Sequence, residues 1–182
     1  MLETIISCCI LALFVFIGGS IVYYSSKNGI TPAPTLDKAK QGLLGLLARK
    51  KINGNIYELG SGWGTLAFAL AKQYAQCNVI GYENSIVPYM FSQVRHLFTD
   101  CENLKLVCKD FYTTPLNDAD LVVCYLYTGA MVKLRNKFEN ELKKGAIVVS
   151  HTFAIPHWIP AEEIVVDDMY RNKIYLYIVG RH

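Results

Sequence analysis

An acidic residue followed by three alternating glycines is the stretch of this chain best suited to hold a ligand. The four residues lie in the run ELGSGWG and are Glu58, Gly60, Gly62 and Gly64. Apolar residues before them predict a short strand over 56–59, and the sequence from Thr65 onward predicts a helix. Glycines permit positive φ and close approach of a ligand, and free N–H groups at a helix start favour electron-rich groups. The segment therefore predicts a site for a nucleoside-bearing cofactor.

The spacing of the glycines favours one class of cofactor. A dinucleotide-binding loop has the pattern Gly-x-Gly-x-x-Gly, which would need a glycine at the position of Thr65. The pattern acidic-x-Gly-x-Gly-x-Gly instead resembles motif I of the class I S-adenosylmethionine (SAM) methyltransferases. An ordinary connection between a strand and a helix is the alternative that the glycines alone leave open.

Further polar residues follow the next two predicted strands. Glu83, with Asn84 after it, ends the strand that follows the glycine loop and is suitably placed for two ribose hydroxyls. Asp110 and Phe111 follow a predicted strand over 104–108. They match the family position at which an acidic residue accepts a hydrogen bond from the adenine amine and an apolar neighbour packs on the ring, although an exposed loop aspartate is the alternative. The resemblance therefore implies SAM as the cofactor.

Two tyrosines are candidates for the methyl-acceptor pocket. Tyr125 and Tyr127 alternate with Leu126 at the end of a strand predicted over 121–126, so both are expected on one face and Leu126 on the other. Methyl transfer requires alignment of a lone pair, exclusion of water and accommodation of a cation, which aromatic faces provide through cation–π contact. Tyrosines that belong to the core, with satisfied hydroxyls, are the alternative.

A second wall of this pocket is predicted after the fifth strand. His151 lies there in the run SHTF, followed by His157, and either ring could take a proton, although a lone loop histidine is more often structural. The Asn/Asp-Pro-Pro-aromatic tetrad of the adenine-amine DNA methyltransferases is absent after strand four. This absence argues against a nucleic-acid base as methyl acceptor.

The N-terminal segment has the length and composition of a transmembrane helix. Ile5 to Tyr24 carries no charge and is about 20 residues long, enough to cross a bilayer. A cleaved signal peptide and a buried soluble helix are the alternatives. Glu3 precedes the segment and many lysines follow it, which by the positive-inside rule predicts a catalytic domain on the cytoplasmic, or topologically equivalent, side. We therefore divide the chain into an anchor, 1–28, and a methyltransferase domain, 29–182, and predict a short polar linker over 25–34.

The rest of the chain predicts an α/β fold. Continuous apolar runs such as LVVCYL and AIVV are typical of parallel strands buried on both faces, and helices alternate with them. Two terminal strands around a turn at 171–173 predict an antiparallel hairpin. The expected architecture is a Rossmann-like class I methyltransferase with a seven-stranded sheet, plus the N-terminal transmembrane helix.

The amino-acid composition restricts the kinds of partner that the chain is expected to bind. The net charge is +3 and the basic residues are dispersed, which disfavours a nucleic-acid partner. The six cysteines have no metal-ligand spacing, so no metal site is predicted, and Cys108 and Cys124 are expected inside buried strands.

The order of the motifs along the chain resembles a narrower family. The order is a hydrophobic N-terminal helix, TPAP, ELGSGWG, GYE, KDF, DLVVCYLYTGAMVKL and LKKGAIVVSHTFAIPHW. It resembles that of the small membrane-anchored protein-lysine methyltransferases, which are related to the mitochondrial ATP-synthase c-subunit and adenine-nucleotide-translocase methylases and to an archaeal broad-specificity lysine methylase. This resemblance implies a protein-lysine methyltransferase with a substrate near the membrane. A methyltransferase acting on a lipid headgroup or lipophilic small molecule, and a non-catalytic SAM-binding or scaffold module, are the alternatives.

Overall fold

The computed structural model describes residues 1–31, 34–169 and 171–180; Pro32 and Ala33 of the TPAP run lie outside them. The helices are α1 (Leu2–Asn28), α2 (Asp37–Ala48), α3 (Thr65–Gln73), α4 (Ile86–Leu97) and α5 (Thr128–Glu141). The strands are β1 (Asn55–Leu59), β2 (Asn78–Glu83), β3 (Leu104–Cys108), β4 (Ala119–Cys124), β5 (Ile147–His151), β6 (Glu162–Val165) and β7 (Lys173–Ile178).

The seven strands form one sheet in the order β3-β2-β1-β4-β5-β7-β6. The first five strands of the chain pair in parallel, whereas β7 pairs antiparallel with both β5 and β6. The predicted α/β architecture, a seven-stranded sheet with an antiparallel terminal hairpin, is therefore confirmed. The strand order reverses direction between β1 and β4, and ligands of such sheets bind at the carboxyl ends of the strands flanking this point.

The sheet is covered on both faces, as its apolar strands require. One core cluster joins α2 and α3 to the sheet through side chains such as Leu47 and Phe68, both almost fully buried. The other joins α5 to the opposite face through Leu134 and Phe138. Each such side chain contributes about 1.5–3 kcal/mol by leaving water, so the two clusters hold the strand ends in a fixed arrangement.

Helix α1 extends beyond the predicted span at both ends. None of its residues is buried, and it is long and apolar enough to cross a membrane. The predicted linker over 25–34 is wrong in its first part, because the helix continues through Ser25 to Asn28 and stops at Gly29, whose φ of 69° is left-handed. No helix-breaking residue stands between Tyr24 and Gly29, so nothing in that stretch ends the helix earlier.

Strand β4 ends earlier than predicted. Its last residue, Cys124, pairs with Leu59 of β1 and with Ser150 of β5, and neither register continues beyond it. Tyr125 to Tyr127 therefore lie outside the strand. Cys124 is fully buried as predicted, whereas the prediction for Cys108 is wrong, because this residue is exposed at the end of the edge strand β3.

Candidate active site

A cavity of about 290 Å³ opens at the carboxyl ends of β1, β2 and β4. Most of the residues predicted from the sequence line it: Glu58, Gly60, Gly62, Glu83, Asn84, Asp110, Phe111, Tyr125 and Tyr127. Gly64 and His151 are not among its lining residues. The fold thus brings the predicted cofactor residues and both tyrosines around one space.

The three glycines of the loop have different roles. All have positive φ, at 77° for Gly60, 52° for Gly62 and 76° for Gly64. A Cβ at Gly64 would lie 3.0 Å from the Phe68 ring, so this glycine allows α3 to pack. A Cβ at Gly62 would meet no described atom within 4 Å, so its backbone faces the open cavity. Gly62 is therefore the position where a ligand can approach the main chain.

Glu83 connects the glycine loop to the start of α4. Its two carboxylate oxygens accept hydrogen bonds from the backbone N–H of Gly62, at 2.8 Å, and of Ser85, at 2.6 Å. The side chain is only 6% exposed, yet it lines the cavity. Because a carboxylate has about four lone-pair sites, these two bonds leave acceptor capacity for ligand hydroxyls.

Glu58 carries an unsatisfied oxygen in the same wall. Burial raises the pKa of this carboxyl well above its ordinary value, the charge of Glu83 raises it further, and a backbone hydrogen bond with Ala67 lowers it. Its Oε2 atom and the Ser61 hydroxyl are buried without a hydrogen-bond partner among the described residues. Buried polar atoms at a cavity wall need a partner from a ligand or water. These atoms therefore fit a polar ligand such as the nucleoside and amino-acid parts of SAM.

Asp110 and Phe111 form the far wall. Asp110 begins a single 3₁₀ turn, and its Oδ1 accepts a hydrogen bond of 2.9 Å from the Tyr112 N–H. The Phe111 ring is buried, with its centroid 4.5 Å from that of Tyr112. Tyr112, which sequence reasoning missed, also lines the cavity, and burial raises the pKa of its hydroxyl to about 12. Lys133 of α5 lies over its ring with Nζ 5.7 Å from the centroid.

All three residues after β4 reach the cavity. The prediction that Leu126 faces away from Tyr125 and Tyr127 is wrong, because these residues follow the strand rather than belong to it. Leu126 packs so close to Gly60 that a Cβ there would lie 2.9 Å from its Cδ2. Side chains alternate between the two faces of a sheet only within a strand, so Leu126, which lies beyond the strand, need not point away from the two tyrosines.

The Tyr127 ring lies between two glycine backbones. A Cβ at Gly29 would lie 2.8 Å from the ring's Cζ, and a Cβ at Gly129 would lie 2.6 Å from its Cε2. Gly29 follows α1 and Gly129 is in the first turn of α5, so the ring joins the N-terminal segment to the domain. Only residues without a side chain fit at both positions.

His151 lies behind Tyr125 rather than in the cavity wall. The two ring centroids are 4.3 Å apart, and His151 is only 4% exposed. Neither ring nitrogen has a hydrogen-bond partner among the described residues. Burial lowers the pKa of this imidazole, and the charge of Asp168 opposes that change. The His151 ring therefore supports the Tyr125 ring by packing against it. A direct catalytic role for His151 stays a prediction.

The end of α1 contributes to the site, which the sequence did not reveal. Lys27 and Asn28 line the cavity beside Asn84. Asn28 and Asn84 exchange side-chain amide hydrogen bonds of 2.7 and 3.0 Å, and Asn28 also donates to the Ser85 hydroxyl at 3.3 Å. The only sequence signal was the polar Lys27-Asn28-Gly29 run after an apolar segment, and such a run is equally typical of a linker.

Comparison with known proteins identifies the family. The family model described as the ANTKMT methyltransferase domain matches residues 58–162, from the first acidic residue of the glycine loop to β6. A protein-lysine N-methyltransferase from Saccharolobus islandicus (strain REY15A) is 30% identical over 156 residues, covering 82% of this chain and 93% of the relative. The chain belongs to the ANTKMT methyltransferase family.

Two further proteins are similar to this ANTKMT-family methyltransferase. The ATP-synthase c-subunit lysine N-methyltransferase of Rattus norvegicus is 27% identical over 156 residues, covering 79% of this chain and 70% of the relative. A crystal structure of an RNA methyltransferase from Salinibacter ruber in complex with S-adenosyl-L-homocysteine has a TM-score of 0.72 at 21% identity, covering 82% of this chain and 95% of that chain. This likeness confirms the fold, and SAM is the cofactor that the ANTKMT methyltransferase family implies.

Proposed function

We propose that this methyltransferase transfers a methyl group from SAM to the side-chain amine of lysine in a protein, and that α1 holds it at a membrane. The similarity to the Saccharolobus islandicus protein, named a protein-lysine N-methyltransferase and matched over 82% of this chain, carries the proposal. The rat relative, also named a lysine N-methyltransferase, supports the same acceptor.

The chain's own residues would hold the cofactor without further rearrangement of the loops. Glu83 accepts from the ribose hydroxyls while its bonds to Gly62 and Ser85 keep both loops in place. Asp110 and Phe111 bind the adenine, as the family resemblance implies. When bound, SAM supplies an electrophilic methyl group on a positively charged sulfur. Fixed hydrogen bonds around the ligand reduce the reorganisation needed during reaction.

The aromatic wall would receive the lysine amine. Tyr112, Tyr125 and Tyr127 present rings to the cavity, and each ring face stabilises a nearby cation by about 0.5–2 kcal/mol. A free lysine has a pKa near 10.4, so at pH 7 only about one amine in a few thousand is the neutral nucleophile. The raised pKa of Tyr112, about 12, leaves its hydroxyl protonated at neutral pH and unsuited to remove that proton. These residues orient the amine, and its proton leaves to solvent.

The apolar length of α1 and its lack of buried residues support attachment to a membrane. Glu3 before the apolar segment and the lysines after it support a domain on the cytoplasmic, or topologically equivalent, side. Since α1 contributes Lys27 and Asn28 to the cavity, the active site would lie at the membrane surface. Lysines close to that surface are the expected substrates.

Labelled SAM tests both the donor and the acceptor. Full-length enzyme is incubated with membranes of its source and methyl-labelled SAM, and protein and lipid fractions are counted separately after acid hydrolysis. We expect label in methylated lysine from protein. In parallel, SAM should raise the melting temperature of the enzyme and NAD should not, because only a ligand of the native state stabilises it. Equal stabilisation by NAD would contradict the cofactor, and label in lipid alone would contradict the acceptor.

A lipid headgroup or lipophilic small molecule is the second candidate acceptor. Lys27, Asn28 and Ile30 at the end of the anchor line the cavity, so a molecule moving along the bilayer would meet the site directly. The same labelling experiment separates the two, because label in the lipid extract with no labelled protein band supports this candidate.

A further inference from the structure

Helix α4 exposes its large apolar residues, whereas an ordinary surface helix buries them. Its buried residues are Pro88 and Ser92. The large apolar residues that it and the residue after it expose are Ile86 at 40%, Met90 at 57%, Phe91 at 54%, Val94 at 55%, Leu97 at 82% and Phe98 at 85%. A surface helix normally buries its apolar stripe against the core. Here the stripe faces outward, and a partner is needed to remove it from water.

The exposed apolar residues form one continuous face, which we call the α4 face. At 100° per residue, the six positions fall within an arc of about 140°, whereas Pro88 and Ser92 lie on the opposite side. Trp63 of the glycine loop extends the α4 face, because its ring makes an edge-on contact with Phe91 at 5.3 Å between centroids. The face is therefore wide enough to lie on a flat apolar surface.

The α4 face continues onto α1. The two helices contact each other, and Ile86 shares a groove with α1 residues that include Phe16, Gly19, Tyr23 and Tyr24. Since α1 has no buried residue, its apolar surface is exposed and meets the α4 face at this groove. Tyr23 and Tyr24 are at the end of the apolar segment, where aromatic residues mark the boundary between lipid tails and headgroups.

Charges around the α4 face are compatible with this boundary. The helix itself contains no acidic residue, and Arg95 and His96 stand in its last turn. The acidic Asp100 and Glu102 follow the helix, so the charge around its C-terminal end is mixed. Apolar area rather than attraction to anionic lipid would therefore drive the contact.

We propose that the α4 face lies in the lipid headgroup region beside α1, so that the catalytic domain is held by two apolar contacts instead of one. The inference rests on the membrane attachment proposed above. An amphipathic helix in this position buries its apolar face by about 5–10 Å. With α1 and α4 both fixed, the domain does not rotate about its anchor, and the cavity that Lys27 and Asn28 line stays at a constant height relative to the bilayer.

Tryptophan quenching by brominated lipid tests the orientation of the full chain. In a Trp63→Phe, Trp158→Phe background, a reporter is introduced as Leu97→Trp on the α4 face or as Val132→Trp on α5. Both positions are exposed, Leu97 by 82% and Val132 by 53%, but α5 covers the opposite face of the sheet. In vesicles of phosphatidylcholine brominated on the acyl chains, we expect several-fold stronger quenching at 97 than at 132. Equal, weak quenching at both positions in protein that floats with the vesicles overturns the α4 contact and leaves the anchor intact.

A charge substitution gives a second readout with all tryptophans retained. Leu97→Lys and Phe98→Lys together should lower methylation of membrane-bound substrate several-fold while leaving methylation of a soluble lysine peptide unchanged; Val132→Lys should change neither. Failure of the wild-type chain to float with vesicles overturns membrane attachment itself. Concentration-dependent dimers that the double substitution abolishes, without lipid quenching, overturn the inference by assigning the α4 face to a second copy of the chain.

Discussion

The two sides of the cavity are built in different ways. On the side proposed for the cofactor, which we call the cofactor side, backbone N–H groups and a buried carboxylate form a hydrogen-bond network, with Glu83 accepting from Gly62 and Ser85. On the side proposed for the methyl acceptor, which we call the acceptor side, aromatic rings pack against glycine backbones, as Tyr127 does between Gly29 and Gly129. The first side is held by directional hydrogen bonds and the second by shape.

Under the proposed function, this difference predicts that the two sides respond differently to substitution. Hydrogen bonds to a charged group contribute about 1.5–3 kcal/mol each and fix a single geometry. Ring packing contributes less per contact, and it depends on whether the neighbours have side chains at all. Substitutions on the cofactor side should therefore change binding most, whereas those on the acceptor side should change turnover.

The largest effect is expected from Glu83→Ala. The change removes the acceptor for two backbone N–H groups and for the ribose hydroxyls, which should weaken SAM binding by about 2–4 kcal/mol, roughly 30- to 900-fold. Calorimetric titration with SAM measures it. Glu102→Ala, a matched substitution at an exposed site, should leave the affinity unchanged. An affinity equal to that of the wild type in the Glu83 variant would show that the cofactor binds elsewhere.

Gly29→Ala should produce the next largest effect, which is a decrease in turnover. The new Cβ would stand 2.8 Å from the Tyr127 ring, and the left-handed backbone with φ of 69° disfavours any side chain. We expect a roughly ten- to hundred-fold lower kcat with SAM affinity retained. Gly45→Ala is the control, because it lies in α2 with open space around it and should stabilise the fold by up to about 1 kcal/mol. Equal losses of kcat in both variants would refute the role of the ring.

Substitution of Tyr127 itself should have a smaller, graded effect. Tyr127→Phe keeps the aromatic face and should cost little, whereas Tyr127→Ala should lower kcat by roughly two- to thirty-fold through loss of cation–π contact. Rates measured from pH 6 to pH 10 should climb to about pH 9 or above in all three proteins, since the lysine amine must lose its proton. A plateau near pH 7 that only the tyrosine protein shows would assign the proton transfer to the hydroxyl.

The sequence revealed the cofactor side because its requirements are local. Glycines at 60, 62 and 64 stand next to the strand and helix that they connect, and Glu83 follows the neighbouring strand. Parallel strands bring their carboxyl ends to one edge, so spacing along the chain was enough to predict that Glu58, Glu83 and the glycine loop meet.

The rest of the cavity depended on distant packing, which no spacing reveals. Asn28 reaches Asn84 only because α1 continues past its apolar segment, and residues 25–28 have the composition of a linker. The early end of β4 depends on where two neighbouring strands stop pairing, so the alternation assumed for Tyr125 and Leu126 was wrong. Strand ends are the least predictable part of a sheet because their partners decide them.

The smallest expected effect concerns His151 and the stability of the acceptor wall. Burial lowers the pKa of this imidazole in the native state, whereas in the unfolded chain it is near 6.5. Above that pH neither state is protonated, so the group contributes no pH dependence. As the pH falls below about 6.5, the unfolded chain takes up a proton that the native protein resists, and stability is lost by at most about 1.4 kcal/mol per pH unit until the native pKa is reached.

Replacing this imidazole with a ring that does not titrate isolates its contribution. His151→Phe should keep the contact with Tyr125, now 4.3 Å between centroids, and make the melting temperature fall less between pH 7 and pH 5 than in the unsubstituted protein. His157→Asn, at the exposed histidine of the same segment, should keep the original pH dependence. If the melting temperatures of the His151 variant and of the unsubstituted protein fall equally across this range, the buried imidazole is not the group that resists protonation. Another group would then cause the loss of stability at low pH.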